Sequence, residues 1–146
     1  MGKLILVILL CLPCINYEKE SIFGKWDLVE YEAIDAIRNS DGYLLGDFNT
    51  QNLADLLFNL ALDSMYYEFK KDTLYFIDIE PESQTTIRRA AYWTLNNDTL
   101  YVKEIERIYF RKYFIKKLTN DSLIFNGIFD DGVVSKHSYK FVKVEE

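Results

Sequence analysis

Most of the chain after residue 22 alternates between hydrophobic and polar positions, the period-two pattern of half-buried β-strands. In residues 85–95, for example, Arg89, Ala91 and Trp93 share one face. In residues 108–118 the same alternation assigns Phe110, Phe114 and Leu118 to one side of the strand. Eight strands are predicted in all, at about 24–33, 65–70, 73–79, 85–95, 99–105, 108–118, 122–129 and 133–144.

Short polar turns separate these strands. An Asp-Ser/Thr-Leu tripeptide recurs at residues 72–74, 98–100 and 121–123, and a further turn is expected at residues 130–132, which read Asp-Asp-Gly. Asn and Asp suit turns because they bond to their own backbone and tolerate left-handed φ. Connections this short favour antiparallel pairing of sequence neighbours. The sequence therefore predicts an all-β fold, an eight-stranded antiparallel up-and-down barrel.

One segment between the first two strands follows a helical period instead. Asn49 and Thr50 are capping residues, and apolar positions follow at helical spacing; these are Leu53, Leu56, Leu57, Leu60 and Ala61. We expect one short amphipathic helix of about three turns there, after a loop over residues 39–48. Its simplest role is a lid that packs on one end or side of the barrel.

The N-terminus has the pattern of an export signal. Lys3 precedes an apolar run over residues 4–12, which is too short for a permanent membrane span. The start resembles a bacterial lipoprotein signal with Cys14 as the lipidated residue; Cys11 and a simply cleaved signal are the alternatives. We expect a signal over residues 1–14, a tether over 15–21 and a domain over 22–146, held in the bacterial cell envelope by an N-terminal lipid.

Composition and charge argue against several classes of function. The net charge of −6 argues against nucleic-acid binding, which requires a basic face. The predicted domain has no cysteine and one histidine, His137, so we expect no metal site and no cofactor. The best carboxylate group, Asp78, Glu80 and Glu82, fits an exposed strand end. No catalytic motif is present, so we expect a protein that is not an enzyme.

Two motifs resemble a known family. Gly24-Lys25-Trp26 looks like the G-x-W motif of the lipocalin superfamily. Together with Leu28 and the Asn-Asp-Thr/Ser-Leu turns at residues 97–100 and 120–123, it is similar to small lipocalin-like lipoproteins of the Bacteroidetes type. The resemblance implies that Trp26 closes the bottom of the barrel. It also implies a basic residue from a late strand packed on the indole, for which Arg111 and Lys140 are the candidates.

The high aromatic content, 16% of the chain, supports two hypotheses for function. In the first, the barrel binds a small apolar or amphiphilic ligand such as a fatty acid, and an inward Arg89 pairs with its anionic group. The candidate lining residues are Phe76, Arg89, Trp93, Phe114 and Tyr139. In the second, side chains fill the barrel and the lipoprotein binds a protein partner, as an envelope-complex subunit or an immunity-type toxin inhibitor.

Overall fold

The computed structural model describes residues 19–145 and consists of a closed barrel of eight antiparallel strands, each paired with its neighbours in sequence and the last paired with the first. The strands are β1 (Gly24–Tyr31), β2 (Tyr66–Phe69), β3 (Thr73–Glu80), β4 (Thr85–Asn96), β5 (Thr99–Glu104), β6 (Phe110–Leu118), β7 (Ser122–Ile128) and β8 (Val134–Lys143). The predicted up-and-down barrel is confirmed, and each predicted strand lies within a few residues of an observed one.

The turns use the local chemistry that the sequence predicted. Asn97, between β4 and β5, has a φ of +53°, the left-handed conformation that Asn tolerates. Gly132, between β7 and β8, has a φ of +84°, and the Asp131 carboxylate accepts a hydrogen bond from the amide of Val133. These turns keep neighbouring strands antiparallel and set the register of the barrel.

Three helices connect β1 to β2, where the sequence predicted one. They are α1 (Glu32–Arg38), α2 (Asp41–Leu44) and α3 (Phe48–Ser64). Because α1 begins at residue 32, β1 is shorter than the predicted strand over 24–33. The loop predicted over 39–48 contains α2. Helix α3 begins one residue earlier than the predicted caps because the Asp47 carboxylate accepts hydrogen bonds from the amides of Asn49 and Thr50. The predicted helix is therefore present, but longer and with a different cap.

Helix α3 packs against β1, β3 and β4. Ala61 is buried, and Leu62 and Met65 contact the barrel core, whereas Leu53 and Leu56 are exposed. The apolar stripe assigned from the sequence is thus only partly covered by the barrel. Among the described residues, no helix combines the length and the apolar character needed to cross a membrane.

Aromatic side chains fill the middle of the barrel. Five of them are almost completely buried: Trp26, Phe69, Phe76, Phe125 and Phe141. The ring of Tyr67 lies at the centre, with its centroid 5.6 Å from that of Phe76, 5.7 Å from that of Phe125 and 5.2 Å from that of Phe141. These are the separations of rings in contact. The interior at this level is therefore a packed core, the filled arrangement that the second sequence hypothesis assumed.

The end of the barrel at which the chain enters β1 is here called the closed end. Trp26 is fully buried there, and its indole Nε1 donates a 2.8 Å hydrogen bond to the carbonyl of Ile22. Gly24 has a φ of +112°, which explains the glycine of the G-x-W motif. Lys143 is the basic residue on the indole, with its Nζ 5.1 Å from the ring centroid, so the expectation for Arg111 or Lys140 is wrong.

The segment Lys19–Ile22 forms a 3₁₀ turn that packs on the closed end. Ile22 is fully buried, and the Nζ of Lys19 lies 4.8 Å from the ring centroid of Trp93. Packing against the barrel therefore includes residues at least three positions before the predicted domain boundary. The predicted signal, including Cys11 and Cys14, lies outside the described residues.

Candidate functional site

The opposite end of the barrel, where β3–β4, β5–β6 and β7–β8 connect, is here called the mouth. Strand β4 runs from the mouth to the closed end, and Arg89, Ala91 and Trp93 all face the interior, as their shared face required. Ala91 and Trp93 are buried, and the Arg89 side chain is 13% exposed. Four residues of strand separate Arg89 from Trp93 by about 13 Å. The two therefore share a face but lie at different ends of the barrel.

Trp93 is part of the closed end. Its indole Nε1 donates a 2.8 Å hydrogen bond to the carbonyl of Lys70, and its ring contacts those of Phe69 and Phe23 edge-on. Its polar group is satisfied by protein backbone and its ring by neighbouring rings. Trp93, predicted to line a ligand site, instead lies within the core.

Arg89 is not an unpaired charge in an apolar barrel. Its Nε donates a 3.2 Å hydrogen bond to Oδ2 of Asp78, and its guanidinium nitrogens lie 4.0 Å from carboxylate oxygens of Glu80 and Glu106. A buried guanidinium without a partner would carry a large desolvation penalty, so the fold supplies carboxylates. The sequence grouped Arg89 with Ala91 and Trp93 on one face but did not identify these partners.

Arg89 belongs to a larger ionic group, here called the mouth cluster: Asp78, Arg89, Glu104, Arg107 and Arg111. The Oδ2 atom of Asp78 accepts hydrogen bonds from all three arginines, at 3.2 Å from Arg89, 2.8 Å from Arg107 and 3.1 Å from Arg111. Glu104, whose side chain is 1% exposed, accepts from both Arg107 and Arg111. Three cations and two anions leave the cluster with a charge of +1.

Both acids of the mouth cluster are held ionised. Burial opposes ionisation of Asp78, but the Arg111 charge and hydrogen bonds from the Ile79 amide and Arg89 outweigh it, so the pKa of Asp78 lies below its usual value. Burial likewise opposes ionisation of Glu104, and the hydrogen bond from Arg107 with the charge of Arg111 lowers its pKa overall. Neither acid has the pKa near neutrality that suits a proton donor or acceptor in catalysis.

The mouth cluster rests on the aromatic core. The guanidinium of Arg111 lies 5.0 Å from the ring centroid of Phe76, and the hydroxyls of Tyr67 and Tyr113 share a 2.9 Å hydrogen bond beside it. Burial raises the pKa of both tyrosines, which stay neutral. Phe76, a predicted lining residue, thus supports the cluster from below.

Tyr139 is also near the mouth and faces inward. Its ring stacks on Tyr31 at 3.9 Å between centroids and meets Tyr113 edge-on at 6.4 Å. Burial raises the pKa of Tyr139, with a further contribution from the hydrogen bond to Tyr31. The structure therefore brings Phe76, Arg89 and Tyr139 to the upper half of the barrel, and Trp93 to the lower half.

Phe114, the remaining predicted lining residue, faces outward, and its assignment to the interior is wrong. On β6 the inward side chains are Arg111, Tyr113 and Ile115, the last two of them buried. A β-bulge between Ile115 and Lys117 shifts the alternation, so Leu118 contacts the core while Phe114, four residues before it, does not. Because the bulge adds one residue, period-two counting back from Leu118 assigns Phe114 to the wrong side of the strand.

Sequence reasoning missed Glu104, Arg107 and Arg111 as site residues. A signal for Glu104 was present, because it follows Leu100 and Val102 at period two in β5, and both of these are buried. Asp78 was identified only as part of an acidic strand end. Nothing local indicates that Arg107, in the β5–β6 loop, reaches back to Asp78 on β3.

A cavity of about 330 Å³ opens beside the mouth cluster. The lining is formed by Asp78, Ile79 and Glu80 of β3, by Arg89 and Arg107, and by the β3–β4 turn, which contributes Pro81, Glu82 and Ser83. No group of three or more metal-ligating side chains occurs within residues 19–145. His137 is half-buried in β8 and its amide donates to the hydroxyl of Ser135. The arrangement therefore offers charged groups and an apolar wall to a small molecule at the mouth.

Comparison with known proteins gives the same fold. A lipocalin-like protein from Bacteroides uniformis is 14% identical and covers 85% of this chain and 99% of its own, with a TM-score of 0.50. An uncharacterized protein from Bacteroides eggerthii is 17% identical and covers 84% of this chain and 98% of its own, also with a TM-score of 0.50. A search of curated proteins found no significant match.

A family comparison is more specific than these structural ones. The model of the lipocalin-like domain matches residues 22–125, which include the G-x-W motif, the helices, and strands β1 to β6 with the first part of β7. This fold suggests a protein that binds small ligands. The chain belongs to the lipocalin-like domain family.

Proposed function

We propose that the protein binds a small amphiphilic anion at the mouth of the barrel, through the guanidinium groups of Arg89, Arg107 and Arg111. The observation that carries the proposal is the convergence of all three arginines on one carboxylate oxygen, Oδ2 of Asp78. Guanidinium groups bind carboxylates and phosphates with paired, charge-assisted hydrogen bonds. A ligand headgroup of either kind therefore fits the chemistry of the mouth cluster.

The charge of the mouth cluster, taken apart from the exposed acids Glu80 and Glu82 that also line the cavity, favours an additional anion. The mouth cluster carries +1, and the nearest further carboxylates, Glu80 and Glu106, lie 4.0 Å from Arg89 with side chains 49% and 66% exposed. Exposed carboxylates at that distance are weak partners, because solvent screens them. A ligand anion in the cavity would displace them and complete the neutralisation of a partly buried positive charge.

The filled interior limits the size of the ligand. Tyr67 and Phe76 close the barrel directly below the mouth cluster, so a long chain has no space to extend toward the closed end. The cavity offers Ile79 as an apolar wall instead. We therefore expect a compact ligand, or one with a short apolar part.

The proposal is for binding without catalysis. Asp78 and Glu104 are held ionised by arginines, and neither is poised to exchange a proton at neutral pH. No cofactor is required for binding of this kind.

The test uses titration with a fluorescent fatty-acid analogue of short chain length and with short-chain carboxylates and phosphates. We expect saturable binding by the wild-type protein, weakened by roughly tenfold or more in Arg89→Met, because a charged hydrogen bond contributes about 1.5–3 kcal/mol. Arg88→Met is the matched control, since Arg88 is the neighbouring residue, faces outward and pairs with Glu68. Equal effects of the two substitutions, or no saturable binding by the wild type, would contradict the proposal.

We further propose export and anchoring through a lipid on Cys14, supported by the charged and apolar pattern of residues 3–12. Cys14 precedes Lys19 by five residues, which span at most about 18 Å. Because Lys19 packs on the closed end, such an anchor would hold that end near the membrane and turn the mouth away from it.

Cys14→Ser should move the protein from the membrane to the soluble fraction of its host. Membrane attachment that persists in both Cys14→Ser and Cys11→Ser would contradict anchoring.

A further inference from the structure

The outer face of β4, β5 and β6 carries three exposed aromatic rings. Tyr92, Tyr101 and Phe110 are 56%, 41% and 58% exposed. With Lys103 and Lys112 they surround a groove of about 370 Å³ that is lined almost entirely by apolar atoms. These five residues are here called the outer groove.

Strand register places the five residues side by side. Tyr92 pairs with Lys103, which pairs with Phe110; one step along, Thr94 pairs with Tyr101, which pairs with Lys112. Cross-strand neighbours on one face are about 4.5–5.5 Å apart. The aromatic rings and the two ammonium groups therefore form one continuous surface across three hydrogen-bonded strands.

The two lysines of the outer groove have no carboxylate partner within residues 19–145. Lys103 lies over the ring of Phe110, with Nζ 5.6 Å from its centroid. Lys25, Lys70 and Lys140 each pair with an acidic side chain on the same barrel, whereas Lys71 and Lys136, like the two groove lysines, have no such pair within residues 19–145. The chain has a net charge of −6, so two neighbouring cations without anions make this part of its surface locally positive.

We propose that the outer groove is the docking site for a partner protein that presents an acidic segment, with an aromatic or aliphatic side chain flanked by Asp or Glu. The apolar side chain would fill the groove between the rings of Tyr92, Tyr101 and Phe110, and the flanking carboxylates would pair with Lys103 and Lys112. Aromatic anchors at the centre with charges at the rim are the usual composition of a protein interface. Complementary charge then selects the partner.

The shape and charge of the outer groove favour a protein over other occupants. The groove is open across three strands, whereas small-molecule sites usually enclose most of the ligand surface. Two lysines on a chain of net charge −6 are too few to hold an anionic membrane, which requires a larger basic cluster. Arg111 belongs to the lining of the groove as well as to the mouth cluster, but Phe110 and Lys112 point away from the interior that the Arg111 guanidinium faces.

The experiment selects binders from a library of short random peptides displayed on phage, with the full-length protein as bait. We expect enriched peptides to carry Asp or Glu on both sides of an apolar residue. Calorimetry with one such peptide should show its affinity reduced by roughly tenfold or more in the double variant Lys103→Glu/Lys112→Glu. Lys136→Glu, an exposed lysine on β8, is the matched control and should leave the affinity unchanged.

A charge-swap makes the test specific. A peptide in which Lys replaces the flanking acids should bind the double variant better than it binds the wild type. Tyr101→Ser should weaken the original peptide without changing the charge. Binding of the fatty-acid analogue at the mouth should be the same in the double variant and the wild type, so failure of either proposal can be seen separately.

Three results would overturn the inference. One is a set of enriched peptides without an acidic consensus, and another is equal loss of affinity in the double variant and in Lys136→Glu. The third is binding to vesicles that contain phosphatidylglycerol, lost in the double variant, with no peptide enriched; this would assign the outer groove to a lipid surface.

Discussion

Side chains cover both the closed end and the mouth of this barrel, but the interactions that hold them differ between the two ends. At the closed end, the two indole nitrogens of Trp26 and Trp93 donate to backbone carbonyls, and lysines cover both rings. At the mouth, three arginines and two acids meet over a layer of tyrosines. One end is built mainly from rings and the other from charges.

The comparison separates stability from function. Packed rings with satisfied polar groups contribute strongly to stability and leave no group free to recognise a ligand. Partly buried ion clusters contribute less, because desolvation offsets their attraction, but they hold directional charges in place. We expect substitutions at the closed end to change stability, and substitutions at the mouth to change stability less and ligand binding more.

The largest expected effect is at the closed end. Trp26→Ala should lower the free energy of unfolding by about 3–5 kcal/mol, the usual loss for a large buried aromatic residue. Urea unfolding followed by circular dichroism measures this. A loss below about 1 kcal/mol would be typical of a surface residue and would remove the difference between the two ends.

A smaller effect is expected at the mouth. Glu104→Gln keeps the shape of the side chain but removes the charge that faces Arg107 and Arg111, so it should lower the free energy of unfolding by about 1.5–3 kcal/mol. The same denaturant titration applies, with Glu106→Gln, whose side chain is 66% exposed, as the control. A loss as large as that of Trp26→Ala would show that the mouth cluster is a major source of stability.

Acid should weaken the mouth in particular. The pKa values of Asp78 and Glu104 lie below their ordinary values of 3.8 and 4.5, so these groups stabilise the fold above the ordinary values. That contribution is lost as the pH falls from the ordinary pKa through the lowered one. Thermal unfolding between pH 7 and pH 3 should show a smaller acid-induced loss in Asp78→Asn than in the wild type; parallel curves would contradict the assignment.

The smallest expected effect concerns the basic side chain that lies over the Trp26 indole. Lys143→Met keeps the aliphatic stem and removes the ammonium group above the indole, at an expected loss of about 0.5–1 kcal/mol. Lys140→Met removes only an exposed pair with Glu30 and should have less than half that effect. Equal losses in the two variants would mean that the cation over Trp26 contributes nothing specific.

Only part of the candidate site could be predicted from the sequence. Arg89 could be grouped with Ala91 and Trp93 because unbroken alternation fixes which residues share a face, but only the closed barrel decides that this face lies inside. Phe114 could not be assigned in the same way, because the bulge after Ile115 is a feature of strand pairing and leaves no local signal. The partners of Arg89 come from β3 and from the β5–β6 loop, so their convergence depends on barrel closure.

The sequence by itself determined the eight strands, their antiparallel order and the position of Trp26, because alternation, turn residues and the G-x-W motif act over a few neighbouring residues. Tertiary structure alone decided two other features: the filled interior and the mouth cluster. Each of these depends on distances between residues far apart in the chain. Asp78 and Arg111 are 33 positions apart, and only closure of the barrel brings their charges within hydrogen-bond distance.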